Sequence, residues 1–165
     1  MTITTNLMSK RSPFVSVSPM TRIEDVIELM RSNDAGAVVV VGEQGAPEGL
    51  ITAREVLKAI DTRSAVLQAL VASDVMSCPV LPCSLGESEE ALMKKMSEGG
   101  VQYMPVVADG EAIDVISMED LVHTRVLKIK SLMKEITDAI SLESQLDHFT
   151  RYLKPYRAAR SSPRA

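Results

Sequence analysis

The sequence predicts an α+β fold in which two β-α-β-β-α repeats pack with pseudo-twofold symmetry and are followed by a C-terminal helical extension. Three observations carry that expectation. GLITARE at 49 to 55 returns as DVISMED at 114 to 120. Each of these stretches follows an amphipathic stripe and then an apolar run, in the same order. Beyond Val122, apolar residues recur at the spacing of a heptad seam.

The repeat can be followed element by element. Asn6-Leu7-Met8-Ser9 is echoed by Asp74-Val75-Met76-Ser77, and VSVSP at 15 to 19 lies against LPCSL at 81 to 85 as the first strand. Ile23, Val26, Ile27 and Met30 form the apolar stripe of a helix over Thr21 to Asn33, with Thr21 and Glu24 at capping-box spacing. Leu92, Met93 and Met96 repeat the stripe. AVVVV at 37 to 41 and the turn GEQG predict a buried strand and a hairpin, answered by Tyr103 to Val107 and ADG. Glu48 to Ile51 and Ile113 to Ile116 are the third strands. A helix then starts at Thr52, carrying Val56, Leu57 and Ile60; its counterpart starts at Ser117 and carries Leu121, Val122 and Val126. A three-stranded sheet alone cannot bury both its faces, so the copies are expected to share one core. The division is 1–68 for the first repeat, 69–124 for the second and 125–165 for the extension.

Composition agrees with one compact body plus an appendage. The 165 residues are 45% hydrophobic and only 3% aromatic, with ten Met and no Trp, so Val, Leu, Ile, Ala and Met must fill the core. The longest apolar run, AVVVV, falls far short of the about 20 residues of a membrane span. The N-terminus lacks the basic start and long apolar stretch of a secretory signal, which predicts a cytoplasmic protein with reduced thiols and no membrane partner. Cys78, Cys83, His123 and His148 do not make a convincing zinc set.

The net charge of −4 is unevenly spread. From Phe149 onward there are five basic residues and no acid, leaving 13 basic against 22 acidic residues, or −9, for residues 1 to 148. The basic residues and two tyrosines of the tail suit contact with nucleic acid or with an acidic protein surface, and Pro155 and the Ser-Ser-Pro near the end suit a merely solubilising end equally well; direct nucleic-acid function is not expected, because the body is acidic and carries no recognisable nucleic-acid fold.

The ordered motifs are LMS at 7 to 9, VSVSP, IELM and GLITARE in the first copy, and DVMS, LMKKM, MPVV and DVISMED in the second. Together they resemble a cystathionine β-synthase (CBS) domain pair over residues 6 to about 124. The resemblance implies a non-catalytic regulatory module, with no required cofactor, that binds an adenosine-containing ligand such as AMP, ATP, NAD or S-adenosylmethionine between the copies. It also implies a homodimer that relays occupancy to an unidentified protein partner.

The residues themselves support an anion site at Thr52. A helix N-terminus offers free N–H groups and a favourable dipole, and Arg54 adds a positive charge in the first turn. The resemblance gives the acid three residues after the Ser/Thr to the ribose hydroxyls: Glu55 after Thr52, and Asp120 after Ser117. It places adenine against the first strand, Val15, Ser16 and Val17 or Val80 and Leu81, and against the facing strand at Tyr103, Met104 and Pro105. Thr-x-x-Glu is equally a capping box that needs no ligand. The copies also differ, because Glu119 stands where the first has Arg54 and Asp114 replaces the usual glycine. A phosphate is therefore expected at Thr52 and Arg54 before Ser117.

Two further classes bound the reading. A structural dimerisation adaptor with no physiological nucleotide is the alternative. An enzyme is not expected: there is no nucleophile elbow, Walker loop or dinucleotide glycine fingerprint. Val122, Val126, Ile129, Met133, Ile136 and Ile140 are spaced for a partner helix or for folding back on the repeats. Leu142, Leu146, Phe149 and Leu153 continue in shifted phase, after a break near Ser141 or through one long helix.

Overall fold

A computed structural model describes residues 13–63 and 69–159. Among them are six strands and five helices in two three-stranded sheets. The motif at 7 to 9 and the basic residues of the tail lie outside the described residues or side chains.

The first sheet runs β1 (Ser16–Val17), β2 (Ala37–Val41) and β3 (Pro47–Thr52), with β1 parallel and β3 antiparallel to β2. The second repeats it as β4 (Cys83–Ser84), β5 (Tyr103–Ala108) and β6 (Glu111–Ser117). The registers correspond. Val17 opposes Val40 as Cys83 opposes Val106, and Ala37 opposes Thr52 as Tyr103 opposes Ser117. Run lengths explain the central strands: AVVVV and YMPVVA are β-branched and apolar enough to be covered on both faces. The hairpin after β5 turns through Asp109 and Gly110, both at positive φ, where a glycine carries little strain.

Helices α1 (Ile23–Ser32) and α2 (Ala53–Arg63) cover the first sheet. The expected capping box at Thr21 does not form. The helix opens at Ile23 with Arg22 as its N-cap, and the Thr21 hydroxyl lies 3.1 Å from that of Ser18. Tertiary pairing explains the shift. Ala72 N–H donates to Thr21 O at 2.8 Å and Ile23 N–H to Leu70 O at 2.9 Å, so the backbone around the helix start is held by the segment that enters the second repeat. That segment carries the short helix α3 (Ala72–Val75) and gives Leu70, Ala72 and Val75 to the first core, beside Ile23, Val26, Val38 and Ile51.

The second core gathers Leu92 and Met96 of α4 (Glu89–Gly99) with Cys83, Met104, Val106, Ile116 and Leu121. Ser88 caps α4, accepting from Ala91 N–H at 3.2 Å, and Gly100 ends it in the left-handed conformation that a side chain resists. A third core belongs to both copies: Ala37, Val39 and Leu50 from the first sheet and Val115 from the second, flanked by Val80, Tyr103 and Ala112. Backbone bonds reinforce it. Leu50 and Ser77 exchange two, at 3.1 and 2.9 Å, and Ala112 N–H donates to Gly45 O at 2.9 Å.

The chain divides into two units after Thr124. Helix α5 (Met118–Ala159) is continuous through Ser141, so the shifted apolar phase belongs to one long helix. Its seam residues Ile129, Met133, Ile136 and Ile140 are 50 to 63% exposed. Among the described residues no helix is long and apolar enough to cross a membrane.

Candidate functional site

Strand β3 ends at Thr52 and α2 begins at Ala53, so the first free N–H groups of the helix lie at the exit of the sheet. There the side chains interlock. Thr52 donates both its backbone N–H, at 3.1 Å, and its hydroxyl to Glu55 Oε2, and Arg54 N–H donates to Thr52 Oγ1 at 3.2 Å. This is a reciprocal cap, and it pairs the carboxyl group of a buried Glu55.

The cap borders a cavity of about 360 Å³. Thr52, Arg54, Glu55 and Lys58 line it from the first copy, and Ser77, Gln102 and Tyr103 from the second. A neighbouring cavity of about 250 Å³ shares Glu55, Lys58 and Ser77 and extends to Asp74 and Met76. Both copies build the site because the Leu50–Ser77 bridge draws the entry to the second repeat across the end of β3. That approach is close. A Cβ on Gly49 would lie 2.6 Å from Met76 Cγ, so only glycine fits there without displacing backbone or side chain.

The equivalent junction in the second copy has the same cap. Ser117 donates its N–H at 3.0 Å and its hydroxyl at 2.6 Å to Asp120 Oδ2, and Asp120 N–H donates back to Ser117 Oγ at 3.0 Å. Asp114, at the position of Gly49, accepts from Val115 N–H at 2.8 Å. Tyr103 stands between the two junctions: it lines the first cavity and pairs with Ser117 across β5 and β6. Its hydroxyl also lies over Gly36, where a Cβ would collide with it. Burial pushes the Tyr103 phenol above its ordinary range, and the negative charges of Glu119 and Asp120 push it further the same way.

Of the residues singled out from sequence, Thr52, Arg54, Glu55 and Tyr103 meet around this cavity. Val15 and Val17 are buried in the first core, while Ser16 between them is exposed. Val80 packs in the shared core and Leu81 against the second. Met104 is fully buried in the second core, and Pro105 is buried beside it on β5, its carbonyl accepting from the Cys83 thiol at 3.5 Å. Ser117 and Asp120 cap α5. Gly36, Leu50, Ser77 and Gly100 are among the lining residues that the sequence reading missed. The signal for Ser77 was present, since pseudo-twofold packing sets the DVMS stretch opposite the end of β3.

Among the described residues no three His, Cys, Asp or Glu side chains gather as a metal set. Cys78 is exposed and Cys83 buried, and both are free thiols.

A family model described as the CBS domain matches residues 5–62 and again 72–126. Uncharacterized protein MK0525 of Methanopyrus kandleri is 25% identical over 127 residues, covering 76% of this chain; the chain spans 65% of that relative's length. The crystal structure of the CBS-domain containing protein ATU1752 from Agrobacterium tumefaciens superposes with a TM-score of 0.69 at 27% identity, over 76% of this chain and 99% of that one. The CBS domain pair of protein MJ0100, solved in complex with 5′-methylthioadenosine and S-adenosyl-L-methionine, shares the fold with a TM-score of 0.63 at 19% identity, over 72% of this chain and 92% of that one. Two matches of one family model, laid end to end on two sheets of one topology and register, make this chain a tandem member of the CBS domain family.

Proposed function

We propose that this chain is a non-catalytic regulatory module whose Thr52 cavity takes an adenine nucleotide. The observation that carries the reading is the joint lining: the cap of α2, with Arg54 and Lys58, faces Ser77 and Gln102–Tyr103 of the other copy across about 360 Å³. That volume lies in the range of small-molecule sites. A phosphate belongs at the α2 N-terminus beside Arg54 and Lys58, where the helix dipole and two cations act together. The ribose belongs at Glu55, whose Oε2 already accepts from Thr52, so a bound hydroxyl competes with that cap or uses the other carboxylate oxygen. The fold accommodates adenosine ligands in the MJ0100 pair, and this supports the ligand class.

The Ser117 junction is the second, weaker site, with Asp120 toward ribose. Glu119 and Asp120 give it a negative potential where the first site has Arg54, so an uncharged adenosine group suits it better than a phosphate. Val15, Ser16 and Val17 in the first copy, and Val80, Leu81, Met104 and Pro105 in the second, then serve as walls and backbone around the adenine positions.

The ligand touches both copies, so it acts by favouring one of their arrangements over another, and only its difference in affinity between them does work. Occupancy passes from a homodimeric, cytoplasmic module to a protein partner. Calorimetry and thermal shift with AMP, ADP, ATP, NAD and S-adenosylmethionine test this. A saturable response is expected, lost in Arg54→Ala for phosphate-bearing ligands; no response to any of them ends the nucleotide reading.

The structural-adaptor reading draws on one observation, the engagement of Thr52 with Glu55. If the cap is the whole purpose of these residues, Thr52→Ala lowers stability and changes no ligand response.

A further inference from the structure

The two junctions differ at one hydrogen bond that the nucleotide reading does not use. Leu50 of β3 is in register with Val39, and Val115 of β6 with Pro105, so the two residues hold equivalent places in their sheets. The Leu50 N–H donates outward from the sheet edge to Ser77 O at 3.1 Å, while Leu50 O accepts the Ser77 N–H at 2.9 Å and its hydroxyl at 3.2 Å. That exchange carries Ser77 to the wall of both cavities at the Thr52 junction. The Val115 N–H has a different acceptor. It donates to the carboxyl group of the residue before it, Asp114 Oδ1, at 2.8 Å.

We propose that Asp114 is the residue that makes the two junctions unequal: it confines tight binding to the Thr52 junction by closing the edge of β6 to a crossing segment. Two effects act together. A donor already satisfied by a neighbouring side chain is not offered to an incoming carbonyl, so the ladder step made at Leu50 has no counterpart at Val115. Space is the second effect. At Gly49 the crossing segment lies so close that a Cβ would fall 2.6 Å from Met76 Cγ, and Asp114 fills the matching position of β6 with a Cβ and a carboxyl group. The Ser117 junction therefore keeps its cap without a wall equivalent to Ser77. A ligand there has protein on fewer sides whatever its charge, which separates this cause from the negative potential of Glu119 and Asp120.

The inference rests on the nucleotide reading, and its test has one arm that needs no ligand. In that arm amide exchange is followed by NMR in the full chain. Asp114→Ala keeps the Cβ and removes the acceptor, so exchange at Val115 is expected to quicken severalfold while Leu50 stays at the parent rate. Asp114→Asn keeps an acceptor oxygen and stays near the parent at both amides. An unchanged Val115 rate in Asp114→Ala overturns the proposal. The second arm is calorimetry with adenosine, which carries no charge, at concentrations that saturate the Thr52 junction. One equivalent is expected for the parent and for Asp114→Asn. Two are expected for Asp114→Gly, its fold checked by circular dichroism, because it admits Asn6–Ser9, the stretch that matches Asp74–Ser77 in the duplication. An equal count in all three proteins, whether one or two, overturns the role of Asp114. A second equivalent in Asp114→Asn as well as in Asp114→Gly moves the cause to charge and overturns the edge. No heat with any of them ends the nucleotide reading and the selectivity with it, while the amide arm still decides whether Asp114 holds the edge.

Discussion

Glu55 accepts both the backbone N–H and the hydroxyl of Thr52 on a single carboxylate oxygen, in the first turn of α2. Removing either partner uncaps the helix, but the two removals differ. Thr52→Ala deletes the hydroxyl and leaves the buried Glu55 carboxyl group with fewer donors, whereas Glu55→Ala removes the buried acceptor itself together with the cap. Thr52→Ala is expected to destabilise by about 0.5–2 kcal/mol, the range for losing a cap. Glu55→Ala in the Thr52→Ala background should add less than it does alone, since the pair acts as a unit. Urea denaturation of the four proteins checks this, and strict additivity would contradict the interlock.

Tyr103 and Gly36 come from different copies, and the phenol hydroxyl occupies the space a Cβ at residue 36 would need. Gly36→Ala is therefore expected to cost about 1–3 kcal/mol through overpacking. Tyr103→Phe removes the nearest atom and should recover part of that loss in the double variant. A double variant as unstable as the sum of the two singles would show that the strain at residue 36 lies elsewhere.

Gly49 answers to Met76 in the same way. Gly49→Ala drives a methyl into the Met76 side chain, 2.6 Å from Cγ, beside the bridge that joins Leu50 to Ser77. Loss of about 1–3 kcal/mol is expected, with hydrogen exchange at the Leu50 and Ser77 amides rising more than at the Leu92 amide of the second core. Uniform acceleration at all three sites would argue for a global effect instead.

Cys83 provides a pH test. Burial, with help from the charges of Glu87 and Asp114, raises its thiol from 9.0 to about 12, against a smaller opposing effect of Lys95. A raised folded value holds the proton more tightly than the unfolded chain does. The stability it contributes is fully present below pH 9 and is lost as the pH climbs toward 12. At pH 8 a thiol reagent should modify one cysteine, Cys78, in the folded protein and two in denaturant; rapid labelling of both in the folded state would refute the burial.

Much of this was legible in the sequence because the duplication compares the chain with itself. GLITARE and DVISMED located both strand-to-helix junctions, and the structure places a cap at each. The start of α1 was misplaced for a physical reason: Thr21 had the right chemistry for a cap, but its carbonyl and neighbours are engaged by the backbone at Leu70 and Ala72, which local spacing cannot reveal. The cavity was half legible. Apart from Gly36, its first-copy wall falls within one short stretch from Leu50 to Lys58, whereas Ser77 and Gly100 reach it only through the packing of one copy on the other.

The shared core has a consequence for how the chain acquires its structure. Val115 completes a layer begun by Ala37, Val39 and Leu50, and Leu70, Ala72 and Val75 complete the first core from beyond the first sheet. Neither half is therefore expected to fold by itself, whatever its sequence symmetry suggests. During synthesis the first sheet should keep one apolar face uncovered until β6 has been made. A chain arrested between the copies would present that face to any similar sheet nearby, and the same complementarity that joins the copies within one molecule would then join halves from different molecules.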